Sequence, residues 1–583
     1  MRLKTTKSKN AIHYSIIKDY TNGGKRSTKP VENLGNLEQV KKRAGNQDYM
    51  KWINEYITKL NKMEKDANRI VSLQLNPNKA IPKNKQQTFN GGYLFLQDIY
   101  HKLGLHKICK SIIEKYKFTY DLNSILSRLI YGRIIFPASK LSTNELSKKF
   151  IEQPGFELQH IYRALEVFSK ENDYIQSELY KNSLKISKRN TGILYYDCTN
   201  YFFEISEAEG LKQYGPAKQK QGKPLVQMGL FLDGDGIPLA FNITSGNTNE
   251  QTTLKPIEKQ IIKDFELSKF IVCTDAGLSS TANRRFNNIS GRAFVTTQSI
   301  KKLKEFLMTW ALEPTGWKFS GTNDGKTYHI DKLDGMIDKL TDKEKIKKWK
   351  NAVFYKERWI KEDGLEQRLI VTYSIKYRDY QKNIRLKQID RAQKLITSNP
   401  KKIGKANQND FKRFISKIHV TQDGETAEET IFELDNTLID KEAKFEGFYA
   451  VCTNLEDEVA KISEINKRRW EIEESFRIMK SEFEARPVYL SRDDRIAAHF
   501  LTCFLALTIY RFLEKRLNDE FTVSEIIDCL CEYNFKEISG DGYIPLYVPS
   551  DITDALHDEF GFKTDFEIVS DKKMKNICKG TTK

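Results

Sequence analysis

Apolar and polar positions change rhythm several times along this 583-residue chain. Residues 10–36 alternate through HYSIIKDYTN, pass through GGKRSTKP and resume in VENLG, which predicts a small hairpin with a basic turn. Residues 37–75 are charged and helical in pattern. The stretch 76–90, NPNKAIPKNKQQTFN, has two prolines and no period, and reads as a linker. From 91 to 189 the pattern is helical throughout, as in GYLFLQDIYHKLGL, LNSILSRLIYGRII and LQHIYRALEVFSK. At Thr191 the texture becomes strand-like. TGILYYDCTNYFFE, LVQMGLFLDGDG and IPLAFNITSGN predict three strands, the last two joined by a tight Asp-Gly-Asp-Gly turn. A helix interrupted by Pro256 follows, then the strand KFIVCTDAGLSS, a short helix and the strand RAFVTTQSI. The order β-β-β-α-β-α-β, with the first three strands antiparallel, predicts a mixed α/β sheet.

Residues 300–444 break this rhythm. NAVFYKERWI and LEQRLIVTYSIKY are β-type runs joined by an acidic turn, set among charged helical pieces and a Lys-rich run, KKIGKANQNDFKRFISK. The segment predicts a separate, β-rich insertion with helical flanks. FEGFYAVCTNL returns to strand. Ile465–Pro487 then reads as one helix, free of internal Gly and Pro and rich in good helix formers. Its Ile472, Phe476, Met479 and Phe483 make one apolar stripe. RIAAHFLTCFLALTIYRFLEKRL is apolar over only about 14 residues, Ala497–Tyr510, and suits a core helix better than a membrane span. The expected divisions are a basic N-terminal segment at 1–75 assigned to DNA binding, a linker at 76–90, a helical DNA-binding or scaffold region at 91–189, a core in two parts at 190–299 and 445–545 around the insertion at 300–444, and a C-terminal tail at 546–583.

Charge narrows the class of partner. Lys and Arg outnumber Asp and Glu by 96 to 78, giving +18. Residues 1–90 hold 19 of the former and 7 of the latter, so two-thirds of the surplus lies in the first sixth of the chain. Such a balance favours a polyanionic partner. The eight cysteines are scattered, with no CxxC pair, and read as reduced thiols rather than a disulfide framework or zinc site. The start, MRLKTTKSKN, lacks the apolar run of a signal peptide, and a cytoplasmic protein is expected.

Three acidic residues stand out by position. Asp197 lies within the apolar strand YYDCT, Asp275 at the end of VCTDAG, and Glu473 at the rim of the helical stripe. Carboxylates are rarely buried without partners, so two aspartates on apolar strands suggest a shared cation. Arg469 lies four residues before Glu473 and Lys480 seven after it, all three in one row along the rim. Glu471 and Glu474 point further towards solvent. The same row also fits a solvated helix with i, i+4 ion pairs. Oxygen-only ligands suit Mg²⁺ or Mn²⁺, and two such ions can clamp the attacking and leaving oxygens of a phosphodiester displacement.

Taken together and in this order, the motifs resemble DDE transposases of bacterial insertion sequences, in particular the group whose last catalytic helix carries Tyr-x2-Arg-x3-Glu-x6-Lys. The helix here gives Arg469-x3-Glu473-x6-Lys480; YYDCTNYFFE matches the strand of the first aspartate and VCTDAGLSS that of the second. GLFLDGDGIPLAFNITSGNTNEQTTLKP is similar to the stretch between them. The resemblance spans roughly 90–545, and the 198 positions from Asp275 to Glu473 suit a large insertion. It implies an RNase H-like core and a catalytic, metal-holding set of Asp197, Asp275 and Glu473 with two Mg²⁺ or Mn²⁺ ions. It also implies cleavage and strand transfer at terminal inverted repeats, by a homodimer on double-stranded DNA with no membrane partner, at the bacterial nucleoid. Arg469 and Lys480 would contact DNA. The signature's tyrosine position holds Asn466, which keeps hydrogen bonding but not stacking. The alternatives are a transposase-derived DNA-binding protein and an RNase H-like nuclease without strand transfer.

Overall fold

The computed structural model describes the chain apart from residues 8–11, 23–24, 68–76, 79, 216–221, 322–324, 399–409 and 421–428. Two units follow one another, Met1–Lys85 and Gln86–Lys583. In the first, strands β1 (Arg2–Lys7), β2 (Ile12–Asn22) and β3 (Lys25–Asn36) form an antiparallel sheet in that order. The hairpin expected over 10–36 is β2–β3; residues 25–30 of the expected basic turn belong to β3, and residues 23–24 lie outside the described residues. Alternation along β2 sends Tyr14 and Ile16 into the core beside Leu34. Helices Leu37–Ala44 and Tyr49–Ala67 close that face with Val40, Ile53 and Ile57, the last two one helical turn apart. Asn36 and Gln39 cap the first helix reciprocally.

The second unit is built on a ten-stranded mixed sheet. A short strand, β4 (Thr88–Asn90), precedes a helical stretch running from Tyr93–Lys102 to Asn172–Ser183. Strands β5 (Ile193–Phe202), β6 (Leu225–Asp233) and β7 (Pro238–Ser245) then run antiparallel, as expected. Helix Leu254–Asp264 leads to β8 (Ile271–Thr274), and helix Thr281–Phe286 to β9 (Ala293–Thr297). β8 is parallel to both β5 and β9. Pro256 does not break its helix: it occupies the first turn, where its missing N–H leaves no bond unmade.

The segment 300–444 is not a separate β-rich body. Its strands β10 (Trp317–Phe319), β11 (Thr327–Tyr328), β12 (Phe354–Glu362) and β13 (Leu365–Tyr373) continue the same sheet, joined through β13 to β16 (Phe448–Thr453) and from there to β9. Only β14 (Ile415–Val420) and β15 (Glu429–Leu434) pair apart from it. Five helices accompany these strands among the described residues, including Ile375–Ser398. The fusion has a physical cause. β9 and β16 are apolar on both faces, so an edge there would expose a row of unpaired backbone groups. Most of the Lys-rich run lies outside the described residues.

The region 91–189 shares one hydrophobic core with the sheet and the helices that follow it. Helix Asp493–Arg516 runs through it, packed against helices Tyr93–Lys102, Leu122–Ile135 and Leu158–Lys170 and against β7. By length and composition this helix could cross a membrane, but 94% of its apolar window is buried inside the protein. Nor is 546–583 a tail. Helices Asp551–Phe560 and Asp571–Gly580 bury Leu556 and Met574, and β19 (Val569–Ser570) joins a four-stranded sheet with β18 (Gly542–Pro545), β17 (Asn534–Ile538) and β4. The last three residues of the expected linker are therefore a paired strand.

Candidate active site

Strand β5 has two faces with different neighbours. Tyr196 and Cys198 turn towards helix Leu254–Asp264, where the Tyr196 hydroxyl meets Thr253 Oγ1 at 2.8 Å. Tyr195 and Thr199 turn the other way. The Tyr195 hydroxyl donates to the Ile465 carbonyl at 3.0 Å, and Lys480 Nζ donates to Thr199 Oγ1. Alternation places Asp197 between them, on the face covered by the glutamate helix. On the parallel neighbour, Tyr195 pairs with Cys273. Two residues beyond that pair, Asp197 continues β5 and Asp275 follows directly on the end of β8. Both are half-buried. Asp275 ends its strand because its side chain caps the following turn, accepting from the Leu278 amide at 3.1 Å. Asp197 accepts from the Cys198 amide at 2.7 Å.

The segment expected as one helix is two, Val459–Lys467 and Trp470–Ser481, separated at Arg468-Arg469. At the break the backbone tightens: the Glu471 amide bonds to the Arg468 carbonyl at 3.1 Å and the Ile472 amide to that of Arg469 at 3.3 Å. Both arginines are anchored there. Arg468 pairs with Glu471 at 2.8 Å, and Arg469 Nη1 donates to Thr297 Oγ1 at 2.9 Å. The predicted stripe is buried, with Ile472, Phe476, Met479 and Phe483 all at 6% exposure or less. Each such side chain contributes about 1.5–3 kcal/mol of burial. Glu473 stays at the rim, its side chain 65% exposed. Glu471 does not face solvent as expected. It is buried against Gly236 in the β6–β7 turn, and burial pushes its carboxyl up despite Arg468. Glu474 is half-buried and paired with Arg511 at 3.2 Å.

Arg469 joins the three carboxylates electrostatically. Its Nη2 lies 3.5 Å from Glu473 Oε1, and its side chain is only 18% exposed. Burial works against its charge, but its pKa is raised on balance, and the carboxylates of Asp275 and Asp197 are among the groups that raise it. Its Nε is buried without a hydrogen-bond partner. Lys480 lies over the Tyr201 ring at 5.3 Å. Asn466 is turned inward: its Nδ2 donates to the Tyr449 hydroxyl at 3.1 Å. Thr297, Tyr449 and Thr199 escaped the sequence reading, and only the paired threonines ending FVTTQ hinted at a polar strand end.

The donor set suits a hard cation. Asp197, Asp275 and Glu473 offer carboxylate oxygens, whereas the neighbouring thiols of Cys198 and Cys273 are pushed up to about 12 by burial and stay protonated. The three carboxylates are not drawn tightly together. Among the described residues, the group whose ligand atoms lie within 4.8 Å of one another is Asp554, His557 and Asp565. That cluster lies outside this site, and Lys563 Nζ already lies 3.8 Å from an oxygen of each of its two carboxylates.

The family model for the transposase DDE domain matches residues 202–509, just over half of the chain. The chain belongs to the transposase DDE domain family. The matched span contains Asp275, Arg469, Glu473 and Lys480 and begins five residues after Asp197. The sequence matches no curated protein. Among solved structures, this transposase-family chain is similar to a piggyBac transposase synaptic complex with hairpin DNA, determined by cryo-EM: 7% identity, 83% of this chain and 86% of that one, TM-score 0.36. It is also similar to the Mos1 transposase paired-end complex with left transposon end: 10% identity, 43% of this chain and 68% of that one, TM-score 0.13. With TM-scores this low, neither likeness bears on the assignment.

Proposed function

We propose that this family member is an active DNA transposase of the bacterial insertion-sequence type, which cuts double-stranded DNA at terminal inverted repeats and joins the freed 3′-hydroxyl to target DNA. What supports the reading is that Asp197 on β5 and Asp275 after the parallel strand β8 both favour the charge of Arg469, whose Nη2 lies 3.5 Å from Glu473 Oε1 on the covering helix. The sheet order β7-β6-β5-β8-β9, three antiparallel strands followed by two parallel crossovers, supports an RNase H-like core.

In this reading the three carboxylates hold two Mg²⁺ or Mn²⁺ ions, which when bound supply Lewis-acid stabilisation to the attacking and leaving oxygens of an in-line displacement. Arg469, already turned into the carboxylate cluster, orients the scissile phosphate and offsets its charge. Lys480, held by Thr199 on the same face of β5 as Asp197, adds a second cation for the DNA backbone. Asn466 faces Tyr449 instead of standing free for DNA. Two copies of the chain would bring two ends together on DNA at the nucleoid.

Purified protein given an end-containing duplex and Mg²⁺ or Mn²⁺ is expected to cut the end and join it to target. Cleavage without a joined product would instead indicate a nuclease, and binding without cleavage a DNA-binding derivative. Asp197→Asn, Asp275→Asn and Glu473→Gln are each expected to slow cleavage by roughly 100-fold or more, the several kcal/mol that metal stabilisation supplies, while end binding persists. Retained cutting in any one variant removes that residue from the site.

A further inference from the structure

Position 466 lacks the tyrosine of the signature, yet a phenol stands beside it. Tyr449, on β16, accepts from Asn466 Nδ2 at 3.1 Å, and its oxygen lies 2.7 Å from Thr297 Oγ1 on β9. The same Thr297 oxygen accepts from Arg469 Nη1 at 2.9 Å. A continuous chain of hydrogen bonds thus runs Asn466–Tyr449–Thr297–Arg469 and ends on the guanidinium among the three carboxylates. The direction is fixed at the two ends. An amide N–H and a guanidinium N–H can only donate, so the Tyr449 oxygen accepts from Asn466 and the Thr297 oxygen accepts from Arg469, while either hydroxyl can be the donor between Tyr449 and Thr297. Thr297 then holds Arg469 Nη1 as an acceptor.

From this chain we infer that Tyr449, with Thr297 and Asn466, is a positioning residue that holds Arg469 back from the metal-binding carboxylates. The inference rests on the transposase reading of the site. The Tyr449 ring packs edge-on to Tyr377, with 6.5 Å between centroids, and borders a cavity of about 290 Å³ that Asn466 also lines. The tether sets how close Arg469 comes to the acids. With Nη1 tied to Thr297, Nη2 stops 3.5 Å from Glu473 Oε1, longer than a close arginine–carboxylate pair. Released, the guanidinium would close on Glu473 or Asp275 and compete with a divalent ion for the same oxygens. Besides Thr297 and this long contact with Glu473 the guanidinium is loosely held, since its Nε is buried without a partner.

The test is Mn²⁺ binding by isothermal titration to the full chain, without DNA, alongside thermal melts. Tyr449→Phe and Thr297→Val are each expected to weaken Mn²⁺ binding by about tenfold, the scale of losing a group that orients a metal site. The double variant is expected to be no weaker than either single one, because both cut one chain. Thr297→Ser, which keeps the hydroxyl, is expected to recover what Thr297→Val loses. Asn466→Ala opens the chain from its far end and serves if a strand variant fails to fold. Unchanged Mn²⁺ affinity in folded Tyr449→Phe, Thr297→Val or Asn466→Ala would overturn the inference, as would additive losses in the double variant. Absence of Mn²⁺ binding in the wild-type chain would overturn the transposase reading itself, so the two failures are distinguishable.

Discussion

At the scale of single residues, burial and partners separate glutamates that the sequence places within four positions. The exposed rim position of Glu473 was legible because it lies beside the apolar stripe with Arg469 a turn behind it. Glu471 was not, because its burial comes from Gly236 in a distant turn and from Arg468 at a helix break. Thr297 and Tyr449 owe their roles to cross-strand neighbours, which no local pattern encodes. Away from the site, Glu258 has a consequence for pH. Burial pushes its carboxyl up to about 8, although Asn287 donates to it at 2.6 Å. The folded chain keeps this proton at pH values where the unfolded chain has released it. Its contribution to stability is therefore complete below the ordinary carboxylate value near 4.5 and is lost as pH rises through 8. The slope is at most about 1.4 kcal/mol per pH unit. Glu258→Gln should flatten the fall in denaturant-measured stability between weakly acidic and weakly alkaline buffer. An identical fall in the variant would assign it to other groups.

At the scale of elements, strands and apolar helix faces were legible, and their ends and companions less so. Alternation in YYDCTNYFF and the run VCTD gave β5 and β8 with their aspartates, since a central strand must bury both faces. The helix break at Arg468-Arg469 was hidden because both residues are good helix formers; the anchor of Arg469 is the distant Thr297, and Arg468 is held locally by Glu471. The β6–β7 turn likewise serves more than its hairpin. Gly236 sits at φ +79°, and a Cβ there would strike the Glu471 carboxylate. Gly236→Ala is expected to cost about 1–2 kcal/mol from the left-handed backbone alone, read as a lowered denaturation midpoint. Wild-type stability in that variant would mean that the turn can relax away from the glutamate helix.

At the scale of the molecule, the sequence correctly suggested a mixed sheet but divided the chain too finely. Residues 91–189, the insertion and the last 38 residues looked separate because their local composition differs from that of the core strands. Burial unites them: one cluster runs from Tyr93 to Cys578, and one sheet from β11 to β7. The first unit keeps a core of its own. A protein starting at Gln86 is therefore expected to melt within about 1 °C of the full chain's main transition, a shift worth about 1 kcal/mol in a unit this large. If the basic first unit grips DNA, truncation should also flatten the dependence of end binding on salt by several units of slope. An unchanged slope would place end binding in the second unit. The central claim, that Asp197, Asp275 and Glu473 form a divalent-metal site, is tested most directly by anomalous diffraction from crystals soaked in Mn²⁺. The account predicts manganese against Asp197 and Asp275 with Glu473 turned towards it. Manganese at Asp554, His557 and Asp565 alone, or none beside the two strand aspartates, would contradict it.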